Sequence, residues 1–181
     1  MSSPKGHDHA PVEYRFCPRC GGGLEKRRIK ASEPERLVCR RCSFILYLDP
    51  KVVAGTIAAI ENRVVLLRRG VEPAMGRWVF PGGYVDRGES VQEAALRETK
   101  EEANLDVRLS ALLGVYSYSH SPNVIVVYSA EIIGGELAAG DESVEARTFA
   151  ASQIPWEELA FPTTGDALRD YVRLYLSSEM R

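Results

Sequence analysis

The sequence has no apolar run approaching the roughly 18 to 20 residues that crossing a bilayer requires, and its opening stretch MSSPKGHDHAPVEY lacks an apolar signal core. A membrane-spanning or exported protein is therefore not expected, and the chain reads as cytoplasmic. Outside positions 17 to 42 there is no cysteine, which excludes a disulfide framework spread through the fold. Internal repeats and low-complexity segments are absent too, so solenoid and linker architectures drop out. Neither sign of charge is in excess. The formal net charge is -2, with 27% charged and 45% hydrophobic residues, the balance of a soluble globular chain that selects no partner by itself.

What is present divides into three stretches. With 181 residues there is room for one ordinary domain and a small appendage. Residues 1–13 mix Pro, Gly, Ser and His without periodicity and read as a flexible tail, in which His7 and His9 are taken as solvated rather than as a metal site. Residues 14–48 contain few aliphatics, too few for a core that stands without a staple. The third stretch, 49–181, opens at Asp49-Pro50 with a change of character. An apolar, β-branched strand over 52–60 is followed by a turn at Glu61-Asn62-Arg63 and a returning strand over 64–67. Further on come Trp78-Val79-Phe80, a Gly-rich Pro81-Gly82-Gly83, a helix over Val91–Ala103 and a strand over 124–128. A last helix over 164–177 would bury Ala167, Leu168, Tyr171, Val172 and Tyr175. This order predicts an α+β fold, a mixed sheet with helices packed on it.

The four cysteines stand as Cys17-Pro-Arg-Cys20 and, after 18 intervening residues, Cys39-Arg-Arg-Cys42. Two C-x-x-C knuckles at such a spacing bring four thiolates around one tetrahedral ion, and with every position filled by protein the zinc would be structural. Gly21, Gly22 and Gly23 follow the first pair, where a knuckle needs unusual backbone angles. Structural zinc contributes on the order of 10 kcal/mol in small peptides, enough to offset the missing core. Residues 15–42 carry nine Lys or Arg against three Glu. Zinc with four thiolates reduces that excess to roughly +4. Apart from Phe16 no stacking aromatic accompanies these charges, so a structural or dimer-forming role is expected rather than nucleic-acid binding.

The chemistry concentrates in GGYVDRGESVQEAALRETKEEANL, residues 82 to 105. Ser90 with Glu93 three residues on makes a capping box that starts the helix at Val91, and Asn104 suits a left-handed stop. At about 100° per residue, Val91, Ala94, Ala95, Leu96, Thr99 and Ala103 form the face turned to the sheet. Glu98 and Glu102 fall inside that arc and Glu101 at its edge. Arg97, Lys100 and Glu93 point to solvent. Carboxylates on a buried arc cost several kcal/mol each unless something neutralises them, and hard divalent cations such as Mg²⁺ take oxygen ligands while leaving positions for water and phosphate.

Gly83, Glu89, Arg97, Glu98, Glu101, Glu102 and Leu105 stand in register with the Nudix box, and the chain resembles the zinc-ribbon branch of the Nudix hydrolases. The likeness runs from Phe16 to Tyr175 and takes in Asp49-Pro50-Lys51-Val52-Val53, Arg77-Trp78, Glu142-Ser143, Ile154-Pro155-Trp156 and Leu159-Ala160-Phe161. Two box positions depart. Thr99 replaces an aliphatic residue, weakening a packing contact, and Asn104 replaces a Gly. The resemblance implies an α/β/α sandwich behind a small zinc ribbon, using Mg²⁺ or Mn²⁺ to hydrolyse the diphosphate of a nucleoside diphosphate linked to a second group. It implies Glu98 and Glu102 as Mg²⁺ ligands joined by the Gly82 carbonyl, Glu101 completing the cluster, and Arg97 holding Glu89 or a neighbouring carboxylate, or else paired with Glu93 at the surface. Glu142, in the Asp141-Glu142-Ser143 loop, is the expected distal ligand or base, with Glu98 and Glu101 as alternative bases. His120 is read as unrelated to the chemistry. ADP-ribose or FAD ranks first as substrate, NADH second and a nucleoside triphosphate third, because 116–122 does not match the signature of NADH pyrophosphatases. Trp78, Tyr118 and Phe161 are candidates for stacking a base or flavin. Ribbon-bearing relatives imply a homodimer. The competing reading is a non-catalytic nucleotide sensor that contacts nucleic acid through the basic segment, against which stand all four retained carboxylates.

Overall fold

The structure, a computed structural model, describes residues 13–176, so most of the tail with His7 and His9, and the expected helix end at Ser177, lie outside the described residues. The chain forms two compact units, Met1–Asp49 and Pro50–Arg181.

In the first unit a three-stranded antiparallel sheet, β1 (Leu24–Arg27), β2 (Arg36–Cys39) and β3 (Ile45–Leu46), lies beside the cysteines. Among its described residues the buried apolar side chains are Cys17, Val38 and Cys39, a core as small as the composition predicts.

The second unit opens with β4 (Lys51–Ile57), β5 (Ala59–Ile60) and β6 (Arg63–Arg69). Glu61 and Asn62 both adopt positive φ, 48° and 60°, the geometry of a two-residue turn that follows the right-handed strand twist. β7 (Trp78–Val79) and β8 (Gly82–Tyr84) precede α1 (Val91–Ala103). Two 13-residue strands follow, β9 (Leu105–Ser117) and β10 (Asn123–Gly135), then β11 (Ser143–Phe149) and α2 (Pro162–Tyr171), which runs on into a π turn at Val172–Leu176. One sheet has the order β8-β4-β10-β9 and is mixed, because β4 and β10 run parallel; the other has the order β11-β6-β5. The α+β class with a mixed sheet is therefore present, and its strands are split between two sheets.

Alternation along β4 places the two helices. Ala54 packs with Ala94 and Ala95 of α1, and Thr56 bonds Thr99. Ile57, on the opposite face, enters the core that holds Ala167, Leu168 and Tyr171 of α2. The α1 limits match the sequence reading. Ser90 makes both halves of the capping box, and Asn104 stops the helix at φ 55°. Pro162 in the first turn starts α2 two residues earlier than expected, since proline costs nothing where no N–H bond is due.

β9 and β11 have no counterpart in the sequence reading. β9 begins in clean alternation, buried Leu105 and Val107 against exposed Asp106 and Arg108, and then loses it. Bulges in its pairing with β10 near Leu113 and Ser110 shift the faces, and a pattern search for period two fails there. Trp78 is 4% exposed and meets Phe149 edge-on, so it is core and not a stacking platform.

Candidate active site

A cavity of about 940 Å³ opens over β8 and one face of α1, and Glu98, Glu101, Glu102, Arg97, Arg69, Glu142 and Phe161 line it. The local sequence fixes its floor. Glycine at 83 lets the backbone of β8 pass directly under Glu98, whose carboxylate a Cβ there would overlap. The adjacent Gly82 N–H donates to Glu102 Oε2 at 2.9 Å.

Arg97 organises the acidic side. Its Nε and Nη2 grip Glu89, Nη1 donates to Glu98 at 2.7 Å and to Glu101 at 3.0 Å, and Nη2 also reaches the Tyr84 carbonyl at 3.1 Å. The arginine is thus a bracket for three carboxylates and does not pair with Glu93, which the capping box occupies. These bonds, together with the Asp86 backbone N–H, pull Glu89 down to about 2. Glu98 moves the other way. Burial raises it against the pull of Arg97. Burial also lifts Glu102 to about 7, opposed by the Gly82 N–H and reinforced by the charges of Glu98 and Glu142. Glu101 stays open, its side chain 59% exposed against 13% for Glu98.

Glu142 arrives from a loop some forty residues further on. Gly140 N–H donates to the Glu102 carbonyl at 2.9 Å, and Gly70 N–H to the Glu142 carbonyl at 2.7 Å, so the loop is strapped to both α1 and the end of β6. His120 lies elsewhere, stacked on Tyr118 with ring centroids 5.5 Å apart.

Two features escaped the sequence reading. Thr99 does not simply loosen a packing contact. Its Oγ1 sits 2.7 Å from Thr56 Oγ1 and donates to the Ala95 carbonyl at 2.7 Å, a satisfied polar pair in the core. Arg69, at the end of β6, contributes a cation facing the carboxylates: its charge lowers Glu102, its Nε donates to the Pro73 carbonyl at 2.8 Å, and its guanidinium lies over Phe161 at 5.5 Å. One arginine among several in 63–69 carries no signal in sequence; the strand register selects it.

The cysteines form the second site. All four Sγ atoms lie within 4.8 Å of one another, with Cys17 and Cys42 at 3.8 Å and Cys20 and Cys39 at 3.5 Å. A tetrahedron of 2.3 Å zinc–sulfur bonds has edges of about 3.8 Å, so the sulfurs fit that ion. The N–H groups of Arg19 and Arg41 approach Cys17 and Cys39 Sγ at 3.4 Å, and the residues after each knuckle's second cysteine, Gly21 and Ser43, both take positive φ. Among the described residues no three carboxylates reach comparable spacing. In the cavity, the fit to a hard cation rests instead on the chemistry of the oxygen donors and on the cost of keeping Glu98 and Glu102 charged where burial raises both against the single bonds from Arg97 and the Gly82 N–H. No described helix is long and apolar enough to cross a membrane.

Comparison with known proteins matches residues 49–172 to the NUDIX domain model and residues 15–48 to the Nudix N-terminal model, a zinc ribbon. An ADP-ribose pyrophosphatase of Methanocaldococcus jannaschii is 39% identical over 135 residues, 71% of this chain and 76% of the relative. The NAD-capped RNA hydrolase NudC of Stutzerimonas stutzeri is 28% identical over 171 residues; the match takes in 93% of this chain but spans only 58% of the relative. Among solved structures, a NUDIX hydrolase from Nitrosomonas europaea superimposes with a TM-score of 0.85 at 34% identity, covering 91% of this chain and 94% of that one.

Proposed function

The chain belongs to the Nudix family of pyrophosphohydrolases, and from that premise we propose that it hydrolyses the diphosphate linkage of ADP-ribose, or of FAD, which shares the ADP half. Water adds across the P–O–P bridge, giving AMP and ribose 5-phosphate or FMN. The observation that carries the reading is the pair Glu98 and Glu102, half-buried and raised, facing Glu142 across an open cavity. Glu98 and Glu102, with the Gly82 carbonyl and Glu142, would hold Mg²⁺ or Mn²⁺. Bound there, the metal supplies a polarised phosphate oxygen and an acidified water.

The remaining work belongs to the protein. Arg97 keeps Glu98 and Glu101 aimed into the cavity while Glu89 fixes the arginine itself. Glu142 is the distal ligand or else the base that takes the proton of the attacking water, with Glu98 and Glu101 as alternative bases, and Arg69 offsets phosphate charge in the cavity. We also propose the division of labour read from the sequence: a tail over 1–13, a zinc ribbon over 14–48 held by Cys17, Cys20, Cys39 and Cys42, and a hydrolase domain over 49–181, in a cytoplasmic homodimer that acts on small molecules.

NADH is the second reading, favoured by the relatives named NAD-capped RNA hydrolase. A panel of ADP-ribose, FAD, NADH and nucleoside triphosphates with Mg²⁺, its products separated by chromatography, tests both. AMP from ADP-ribose supports the first reading. A folded, zinc-loaded protein that turns over nothing in the panel favours the nucleotide sensor.

A further inference from the structure

Asn123 opens β10 on the wall of the carboxylate cavity. Its backbone is fixed on both sides. The N–H donates to Ser121 Oγ at 3.2 Å, and the residue stands in register with Lys51 of β4, whose own N–H donates to the Pro122 carbonyl at 2.9 Å. The side chain is not tied down in the same way. Asn123 Oδ1 is buried and meets no hydrogen-bond donor among the described residues. A buried acceptor without a partner lowers stability, and asparagine is in any case a poor strand former. A valine here would extend the apolar run Val124-Ile125-Val126-Val127 and remove both penalties.

The neighbours narrow what Oδ1 can take. Asn123 pairs with Lys51 and Val53 with Tyr84, which puts the four side chains on one face of the sheet β8-β4-β10-β9. It is the face away from α1, since Ala54 packs on that helix. Both aromatic rings on the cavity wall already carry a cation: Lys51 Nζ lies over Tyr84 at 4.7 Å and the Arg69 guanidinium over Phe161 at 5.5 Å. This wall therefore meets a ligand through hydrogen-bond groups more than through open stacking surface. Diphosphate oxygens are acceptors and cannot satisfy another acceptor. Asp86, two residues beyond Tyr84, also lines the cavity, and as a carboxylate it too only accepts. The ligand atom that fits must carry a hydrogen and stand close to the diphosphate, and a hydroxyl does both.

We propose that Asn123 is a specificity-determining residue that accepts a hydrogen bond from a hydroxyl of the sugar or polyol esterified to the diphosphate. The inference deepens the hydrolase reading and rests on it for the place of the diphosphate. A turn of the side chain carries Oδ1 from its buried position into the cavity, and no bond to that oxygen opposes the turn. ADP-ribose and FAD both offer such hydroxyls beyond the diphosphate, whereas a nucleoside triphosphate offers only phosphate there.

The test compares ADP-ribose with the tetrahydrofurfuryl ester of ADP, which keeps the terminal ring and lacks every hydroxyl on it. Binding of both is measured by calorimetry without added Mg²⁺, and turnover with it, for wild type, Asn123→Val and Asn123→Asp. Wild type should favour ADP-ribose about tenfold in affinity and in kcat/KM, the upper range for one neutral hydrogen bond. N123V should bring that preference to about one, and N123D, which keeps an acceptor, should retain it. The melting temperature of N123V should equal or exceed that of wild type, because the free protein loses no bond to Oδ1. Should N123V fail to fold, Asn123→Ala supplies the same comparison. A wild type without the preference, or a preference that survives in N123V, overturns the proposal. So does an equal loss on both ligands, the mark of a metal ligand or a structural part. A preference in binding with no turnover of either compound removes the hydrolase reading and leaves Asn123 as the residue that reads the hydroxyl.

Discussion

The guanidinium of Arg97 holds the Glu89 carboxylate by two parallel hydrogen bonds, 2.8 and 3.0 Å, that join the loop ahead of α1 to the middle of the helix. A fork of this kind needs the planar arginine group and is lost with a point-charge amine. Arg97→Lys should therefore lower kcat/KM by about 10 to 100-fold, in the manner of outer-shell partners of metal ligands, while KM changes little. Glu89 would rise from about 2 toward its ordinary 4.5. Steady-state kinetics with an NMR titration of Glu89 would check both. Wild-type turnover would show that the bracket is not needed.

Glu102 lies deeper in the cavity than Glu101. Glu102→Gln should lower Mg²⁺-dependent kcat by about 100-fold or more, at least the loss seen for outer-shell partners, and leave the far-ultraviolet dichroism unchanged. Normal activity in that variant would take Glu102 out of the site.

The same residue gives the metal-free protein a pH signature. An unfolded glutamate keeps its proton only below about 4.5, whereas folded Glu102 keeps it to about 7. Between those values the folded state binds more protons, so stability falls as pH rises across the window. The melting temperature in EDTA, corrected for zinc loss, should be higher at pH 5 than at pH 7.5. Excess Mg²⁺ should raise it more at the higher pH, and E102Q should flatten the profile.

Thr56 and Thr99 lend themselves to a double-mutant cycle. Thr99→Val strands the buried Thr56 hydroxyl and should cost about 1 to 3 kcal/mol, Thr56→Val leaves Thr99 donating to the Ala95 carbonyl and should cost less, and the double change should cost no more than Thr99→Val alone. Chemical denaturation of the four proteins measures the coupling; additive losses would show that the hydroxyls stand alone.

Cys39→Ser should release zinc and unfold 15–48, read as metal content and as a lost thermal transition. An unchanged zinc content would contradict the ribbon assignment.

Much of this was legible in the chain itself. The capping box at Ser90 and Glu93, the left-handed Asn104 and the two C-x-x-C pairs act over a few residues, and local rules read them. Glu98 and Glu102 stood out because their helical position contradicts their charge. β9 was hidden by bulges that break its alternation, and Arg69 by its ordinary neighbours. Thr99 could be recognised as unusual, but its partner Thr56 is 43 residues away and only the packing of α1 on β4 brings them together. The last helix begins two residues ahead of its apolar pattern because Pro162 suits a first turn, a signal separate from periodicity.

The strap between Gly140 and the Glu102 carbonyl separates two kinds of change open to this fold. Residues 118–122, at the turn joining β9 to β10, can lengthen or shorten without moving Glu142, because that residue is registered against α1 itself. The hairpin tip, where Tyr118 sits, can thus change while the loop that carries Glu142 keeps its place on α1.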